Sequence, residues 1–442
     1  MTTLTNQKMR RAAITTLGCK INAYESAVIA KNLQDEKWAV VPSKDVADLY
    51  IINSCTVTAE AGRKTRQEIR RAIKRNPKAI VVVTGCYAEM EPDECYQIPG
   101  VDLVINNSDK LSVLKHIKHY SKTIQPINRS RSEKFLTSFP SRTRAFIQIQ
   151  QGCDQSCTYC VIHKARGPSQ SFASERIKQQ VEILLKEGYK EIVICGIDLG
   201  SWGQDFNKDT TLHSYRFLHL LEELSGYDMD YRVRLSSIDP AHLDNDLVDL
   251  IASNNKICPH LHVSIQSANS LILKRMKRRY EAEELYSRVL MAHNKITGLV
   301  LSADLMVGFP TETEEHFQDT LTAVDDLMIS YPHIFPYSER KGTPAARIPN
   351  QVPKTIRKER SERLKVAGYK TLKKVINQHV GRTGRVLTEK RKFDGEQKQD
   401  GRLDNYLPVY LLGEAPKVGQ LIDVDIESQA GNVLIARRKA HA

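Results

Sequence analysis

Three cysteines, Cys153, Cys157 and Cys160, fall in the run Gly152-Cys153-Asp154-Gln155-Ser156-Cys157-Thr158-Tyr159-Cys160. A C-x-x-x-C-x-x-C spacing this tight suits a cluster-binding loop. A cubane of four irons and four sulfides normally takes four thiolates, so three closely spaced ligands leave one iron open. An open metal position is where a substrate or cofactor binds, as in catalytic zinc sites. The competing reading is a structural zinc knuckle with His163 as its fourth ligand; zinc ligands, however, usually come as two separated pairs. The apolar run Ala145-Phe146-Ile147-Gln148-Ile149 just before the loop reads as a strand and places the cysteines at its carboxyl end.

A chain of 442 residues exceeds the roughly 250 to 300 that one core spans, so several domains are expected. Nine cysteines accompany an N-terminus without an apolar signal segment. No run approaches the ~18 apolar residues of a membrane span. These features predict a cytoplasmic protein with reduced thiols and no membrane contact. The net charge of +13 is uneven: between 341 and 380, eleven Lys and Arg face only Glu359 and Glu362. Leu364, Ala367, Leu372, Val375 and Ile376 recur there at helical spacing, predicting an amphipathic helix with a basic face. Such a face suits phosphates, or is simply solvated.

Residues 1–120 alternate strand-like and helical patterns. Apolar runs at 12–16, 49–53 and 80–84 read as buried parallel strands, separated by helical stretches near 25–34 and 60–74. This is a doubly wound α/β domain. Cys19, Cys55 and Cys86 each follow one of the strands, and open α/β sheets bind ligands outside the carboxyl ends of their strands. Residues 121–141, polar and carrying Pro126 and Pro140, read as a linker. From 142 to 380, strand-like runs at 145–149, 191–195, 232–235, 261–265, 301–307 and 329–337 suggest a partial barrel of six βα units with its chemistry at the carboxyl edge. Residues 381–442 hold short alternating runs between Gly, Pro and Asp turns and predict a small closed β-barrel. Cys95, read as a loop residue, and Cys195 and Cys258 have no partners at ligand spacing.

The motifs Thr16-Leu17-Gly18-Cys19-Lys20-Ile21-Asn22, Asn53-Ser54-Cys55-Thr56-Val57-Thr58, Thr84-Gly85-Cys86, Ala165-Arg166-Gly167, Arg234-Leu235-Ser236-Ser237 and Asp304-Leu305-Met306-Val307-Gly308-Phe309-Pro310, with the cluster loop, resemble the radical S-adenosylmethionine (SAM) methylthiotransferases from end to end. The Leu17-Gly18-Cys19-Lys20 and Cys55-Thr56-Val57-Thr58 wordings resemble most the tRNA branch acting on threonylcarbamoyl-adenosine next to the anticodon. The alternatives are the isopentenyl-adenosine and ribosomal-protein branches and, outside catalysis, an iron–sulfur RNA-binding sensor. The resemblance implies a partial (β/α)6 radical-SAM barrel and a TRAM-like RNA-binding tail. It implies two 4Fe–4S clusters, one on Cys153, Cys157 and Cys160 and one on Cys19, Cys55 and Cys86, the second carrying the sulfur to be methylated. SAM would bind the first, with Tyr159, Gly196, Arg234, Ser236, Gln266 and Asp304 as its contacts and Arg234 pairing the methionine carboxylate. No side chain is assigned a catalytic role of its own. The expected partners are tRNA and a flavodoxin- or ferredoxin-like one-electron reductant, with the chain a monomer. Lys20, Lys164 and Arg166, near the expected ligands, suit a carboxylate-bearing substrate. One departure stands out, since His163-Lys164 replaces the Pro-Tyr of the family pattern.

Overall fold

The computed structural model describes residues 9–120, 135–139, 142–206, 216–394, 397–413 and 416–439. The expected linker at 121–141 lies outside them except for 135–139. The chain divides into two compact units: residues 1–140 with 152–154 and 160–168, and residues 141–151 with 155–159 and 169–442.

In the first unit, β1 (Arg11–Thr16), β2 (Ala39–Val41), β3 (Leu49–Ser54), β4 (Ile80–Gly85) and β5 (Leu103–Val104) form a parallel sheet in the order β2-β1-β3-β4-β5. The connecting helices are α1 (Lys20–Asp35), α2 (Ala59–Arg75), α3 (Cys86–Met90) and α4 (Pro92–Tyr96), and α5 (Val113–Tyr120) follows β5. Successive side chains of a strand point to opposite faces. Accordingly, Tyr50 and Ile52 join one core with Ile69 and Ala72, and Leu49 and Ile51 join another with Ile29 and Leu33. A strand covered on both faces has no polar side, which is why β3 reads as an unbroken apolar run. Cys95, expected in a loop, lies in α4 and is fully buried in the first of these cores. Proline at the first helical position lets so short a segment start a turn.

The short helix α6 (Ile162–Arg166) belongs to the first unit. In the second, β6 (Ala145–Gln148) leads into the antiparallel pair β7 (Gln150–Gln151) and β8 (Gln170–Ser171). Then come α7 (Ser174–Lys186), β9 (Glu191–Cys195), α8 (Phe217–Ser225), β10 (Arg232–Leu235), β11 (Ser237–Ile238), α9 (Asn245–Ser253) and β12 (His260–Gln266). After α10 (Ser270–Met276) and α11 (Ala282–Lys295), β13 (Val300–Val307), α12 (Glu314–Asp326), β14 (Ile329–Pro336) and α13 (Lys354–Asn377) complete this part. All six expected strands form, yet in two parallel sheets, β10-β9-β6 and β11-β12-β13-β14. The chain steps from one to the other at Ser236, whose N–H donates to the Ile194 carbonyl at 2.9 Å. The tail, β15 (Thr383–Asp394), β16 (Gln397–Leu403), β17 (Pro408–Leu411), β18 (Leu421–Ala430) and β19 (Val433–Arg438), closes into a barrel in the order β15-β16-β17-β19-β18. Leu372, Val375 and Ile376 of α13 share its core.

A buried ionic knot ties this tail to the βα strands. Glu191, fully buried, accepts from Arg144 Nε (2.5 Å), Arg232 Nε (2.7 Å) and Arg234 Nε (2.7 Å). Arg232 also donates to the carbonyls of Arg385 (2.9 Å) and Arg402 (3.2 Å), and Arg144 pairs with Glu389. Arg144, Arg234 and Arg402 stack on the Tyr406 ring. Replacing Glu191 by Gln should cost about 3–5 kcal/mol in denaturant titration, because it leaves buried guanidiniums without their anion. Burial alone would raise the Glu191 pKa, but Arg234, Arg232 and Arg144 outweigh it and hold the carboxyl well below its ordinary value. Its stabilisation is therefore complete above the unfolded-state pKa of about 4.3 and fades as pH falls through the lower native value. Glu191→Gln should lack that acid-side loss; equal stability of both proteins at neutral pH would contradict the assignment.

Candidate functional site

The first unit gathers three of the expected cysteines. Strands β1, β3 and β4 are neighbours, so the loops at their carboxyl ends are neighbours too. Cys19 caps α1, Cys55 follows β3 and Cys86 opens α3. Cys19 is exposed; Cys55 and Cys86 are buried. Glycines let the loops close. Gly18 has φ +95°, and a Cβ there would lie 2.7 Å from Cys55 Sγ. Gly85 has φ +90°, and its Cβ would lie 2.5 Å from the Ser54 carbonyl oxygen. Only glycine meets both demands, positive φ and no side chain. Polar residues of the same motifs fix the loops. Asn22 Nδ2 donates to the carbonyls of Leu17 (2.7 Å) and Ser54 (2.9 Å). Asn53 Nδ2 reaches the Asn22 carbonyl at 3.0 Å, and Ser54 Oγ accepts from Tyr87 N (3.1 Å) and Ala88 N (3.2 Å).

Beside these cysteines lies a buried charge cluster. Arg166 donates to Glu25 Oε1 (2.9 Å) and to Asn22 Oδ1 (2.6 Å), and Lys110 Nζ reaches Glu25 Oε2 at 2.5 Å. None of the three charged side chains is more than 3% exposed. Two cations thus face one carboxylate inside the protein, a surplus that only a nearby anion makes tolerable. The thiols are the nearby groups that can supply it. Burial opposes the charge on Arg166, but Glu25, Cys86 and Cys19 hold its pKa above the ordinary value. Burial pushes Cys55 up to about 11, so at neutral pH this thiol gives up its proton only when a metal or other electrophile takes its place. Arg166 Nε is buried without a hydrogen-bond partner. Surplus cation, an orphaned donor and three soft ligands fit an anionic iron–sulfur cluster. Among the described residues, only His262, Asp304 and His333 draw three donor atoms within 4.8 Å of one another. Tetrahedral zinc, with Zn–S near 2.3 Å, would hold its sulfurs about 3.8 Å apart. The Cys19, Cys55, Cys86 triad is wider than that.

The loop at 153–160 contributes to both units. In the first, Cys153 N donates to the Gly167 carbonyl (3.1 Å), and Ile162 N to Cys160 Sγ (3.4 Å). In the second, buried Cys157 accepts from Arg278 Nη1 at 3.4 Å. Thr158 N bonds the Met276 carbonyl at 3.0 Å, and Tyr159 packs against Ile272, Met276, Met306 and Phe309. Gly196 follows β9, where a Cβ would meet Leu199 Cα at 3.0 Å and Gln150 Oε1 at 3.2 Å. Gln266 ends β12 at φ +68°, a strained backbone for a non-glycine residue. It shares a half-exposed polar face with Ser264 and His262, while Leu261, Val263 and Ile265 are buried. On β13, Asp304 is the one residue not fully buried; it bonds His262 Nε2 at 3.0 Å, with His333 Nδ1 at 3.8 Å. Ser236 is buried at the step between the sheets.

Two expectations need correction. Arg234 is not turned toward a ligand carboxylate, because Glu191 and the Tyr406 ring engage its guanidinium at the other end of the strands. Arg166 is likewise taken, by Glu25 and Asn22, whereas Lys20 and Lys164 are exposed. Sequence reasoning also missed several residues. His262 and His333 carry a signal in retrospect, a polar side chain at alternate positions of an apolar strand. The set Asp198, Asp239, His242, Arg278 and Arg279 carries none, since its ion pairs join distant loops (Arg278–Asp239 2.5 Å, His242–Asp198 3.2 Å, Arg279–Asp198 3.4 Å).

Residues 11–106 match the family described as uncharacterized protein family UPF0004, and residues 147–324 the radical SAM superfamily. The chain is 37% identical to the threonylcarbamoyladenosine tRNA methylthiotransferase of Bacillus subtilis, over 95% of this chain and 94% of that one. It is 34% identical to the tRNA-2-methylthio-N(6)-dimethylallyladenosine synthase of Fusobacterium nucleatum, over 95% and 97%. The structure of the radical SAM methyltransferase TsrM from Kitasatospora setae, with cobalamin and a 4Fe–4S cluster bound, has a TM-score of 0.54 at 15% identity over 76% of this chain and 77% of that chain, a likeness of fold. The two family matches, their order in the chain and these full-length identities agree: the chain belongs to the radical SAM methylthiotransferase family.

Proposed function

We propose that this protein places a methylthio group on C2 of the adenine in tRNA carrying threonylcarbamoyladenosine. The observation that carries the reading is the pairing of two cysteine triads in one chain, the second of them set beside a buried cationic surplus. Cys153, Cys157 and Cys160 would hold the cluster that binds SAM, and Cys19, Cys55 and Cys86 the cluster that presents sulfur. When bound, the first supplies hydrogen abstraction from an unactivated C–H and the second supplies the sulfur. The chain's own residues position. Gly18 and Gly85 let the cysteine loops approach, Asn22, Asn53 and Ser54 fix them, and Arg166 and Lys110 balance negative charge. Tyr159, Gly196, Ser236, Gln266 and Asp304 remain the proposed SAM contacts, without Arg234. No described helix is long and apolar enough to cross a membrane. We further propose a cytoplasmic monomer that receives electrons one at a time from a flavodoxin- or ferredoxin-like protein.

The threonylcarbamoyl branch is favoured over the dimethylallyl branch by the Leu17-Gly18-Cys19-Lys20 and Cys55-Thr56-Val57-Thr58 motifs and by the higher identity to the Bacillus subtilis relative. It also suits the exposed cations Lys20 and Lys164, next to proposed ligands. A charge-assisted contact to the substrate carboxylate contributes roughly 1.5–3 kcal/mol, or about ten- to a hundredfold in discrimination. In a competition between tRNAs bearing threonylcarbamoyl- and isopentenyl-adenosine, read by nucleoside mass spectrometry, the first should win by that factor. Preference for the second would overturn the branch and leave the reaction class standing.

The division of labour between the triads is separately testable. Converting Cys19, Cys55 and Cys86 together to Ala should abolish the methylthio product while SAM cleavage to 5′-deoxyadenosine continues. Converting Cys153, Cys157 and Cys160 should abolish both. Loss of cleavage in the first variant, to the level of the second, would sink the assignment.

A further inference from the structure

Helix α2 begins four residues after Cys55, with Thr58 Oγ1 accepting from Ala61 N at 3.1 Å. Its 17 residues carry seven Lys and Arg against Glu60 and Glu68. At 100° per residue, Arg63, Arg66, Gln67, Arg70, Arg71 and Lys74 fall on one side, and together they line a single depression on the surface of the first unit. The opposite side buries Thr65, Ile69 and Ala72 against the sheet.

The charge on this face is largely unspent. Arg63–Glu60 (2.6 Å) and Arg71–Glu68 (2.5 Å) are solvent-exposed pairs between helix neighbours, which bind little. Arg66 leans on Tyr87 and Glu94, and Arg75 bonds the Ser43 carbonyl. Among the described residues, Lys64, Arg70 and Lys74 make no ion pair. The helix nominated from sequence, α13, differs. There Arg360 is buried against Glu312 (2.6 Å), Arg357 donates to the Tyr337 carbonyl (2.6 Å), Arg363 pairs with Glu314 (2.7 Å) and Lys374 with Asp325 (2.5 Å). Its exposed Lys354, Lys358, Lys370 and Lys373 also make no ion pair among the described residues, but its guanidiniums are spent on the protein, whereas those of α2 line an open depression.

We propose that the exposed face of α2 docks the phosphodiester backbone of the tRNA. The inference rests on the tRNA reading above and adds where the first unit grips its substrate. The stripe from Arg63 to Lys74 extends over about 17 Å of the helix, long enough for several backbone phosphates and not just one small anion. No large apolar side chain on α2 is exposed, so it lacks the face with which an amphipathic helix enters a lipid surface. Guanidinium forks outnumber ammonium groups, as suits phosphate oxygens.

The test is tRNA binding to the reconstituted holoenzyme across a salt series, comparing wild type with the triple variant Lys64→Gln, Arg70→Gln, Lys74→Gln and with Lys64→Arg, Arg70→Lys, Lys74→Arg. These residues are unpaired, so iron content and tRNA-independent 5′-deoxyadenosine formation should match wild type. Each lost phosphate contact lowers the slope of log K against log salt by about 0.7–0.9. The Gln variant should lose about two units of slope and at least tenfold in affinity at low salt, and the charge-preserving variant should lose neither. Unchanged slope and affinity in the Gln variant would overturn the proposal, as would polyglutamate competing as strongly as tRNA. A wild type that binds no tRNA would instead defeat the tRNA reading itself.

Discussion

Three side chains on different elements meet in the buried cluster of Glu25, Lys110 and Arg166, and the rest of the first unit's site is arranged around them. Glu25 lies within α1, Lys110 just before α5, and Arg166 ends α6, some 140 residues along the chain from its partner. Charges this deep are stable only if each finds a counter-charge and its hydrogen bonds. Arg166 meets them in part, through Glu25 and Asn22, with its Nε left unpartnered, and Asn22 in turn holds the loops that carry Cys19 and Cys55. One guanidinium therefore fixes two cysteine loops and brings a positive potential to the thiols. A site built this way, with a buried cationic surplus beside three sulfurs, suits an anionic cluster. This couples the folding of the unit to the chemistry it hosts.

The second unit uses the same device for a different purpose. Glu191 collects three arginines at the base of the βα strands, and through Arg232, Arg144 and Tyr406 it anchors the tail barrel. At the other edge, where Gln266, Asp304 and Tyr159 lie, polar side chains are half-exposed and one backbone is strained. Rigid ionic packing below and a permissive polar face above is the division expected of βα folds, in which the carboxyl ends of strands carry chemistry and the opposite ends carry stability.

Much of this was legible in the sequence, for a physical reason. Strands buried on both faces read as apolar runs, so β3, β4, β9 and β13 could be placed closely, and with them the cysteines at their ends. The closed tail barrel was legible from its turns. What escaped reading depends on partners far apart in sequence. Arg234 looked like a ligand-binding residue because it opens the family motif Arg234-Leu235-Ser236-Ser237 at a strand end; only the fold reveals Glu191 and Tyr406 around it. The split of the barrel strands into two sheets falls at Ser236, between β10 and β11, where no glycine or proline marks it in the sequence. The basic helix was sought in α13, where the cations are most numerous, but net charge does not say which cations are neutralised by their neighbours. His262 and His333 are single polar residues in apolar strands, and they acquire meaning only once register sets them beside Asp304.

The central claim is that Cys19, Cys55 and Cys86, supported by Arg166, hold a second cluster distinct from that of Cys153, Cys157 and Cys160. Mössbauer spectroscopy of protein reconstituted anaerobically with 57Fe, paired with iron and sulfide counts, tests it most directly. The account predicts about eight irons per chain, all in two cubanes of four, and a drop to about four in Arg166→Gln with the remaining cubane still responding to SAM. Four irons in the wild type, or eight retained in Arg166→Gln with both cubanes unchanged, would contradict it.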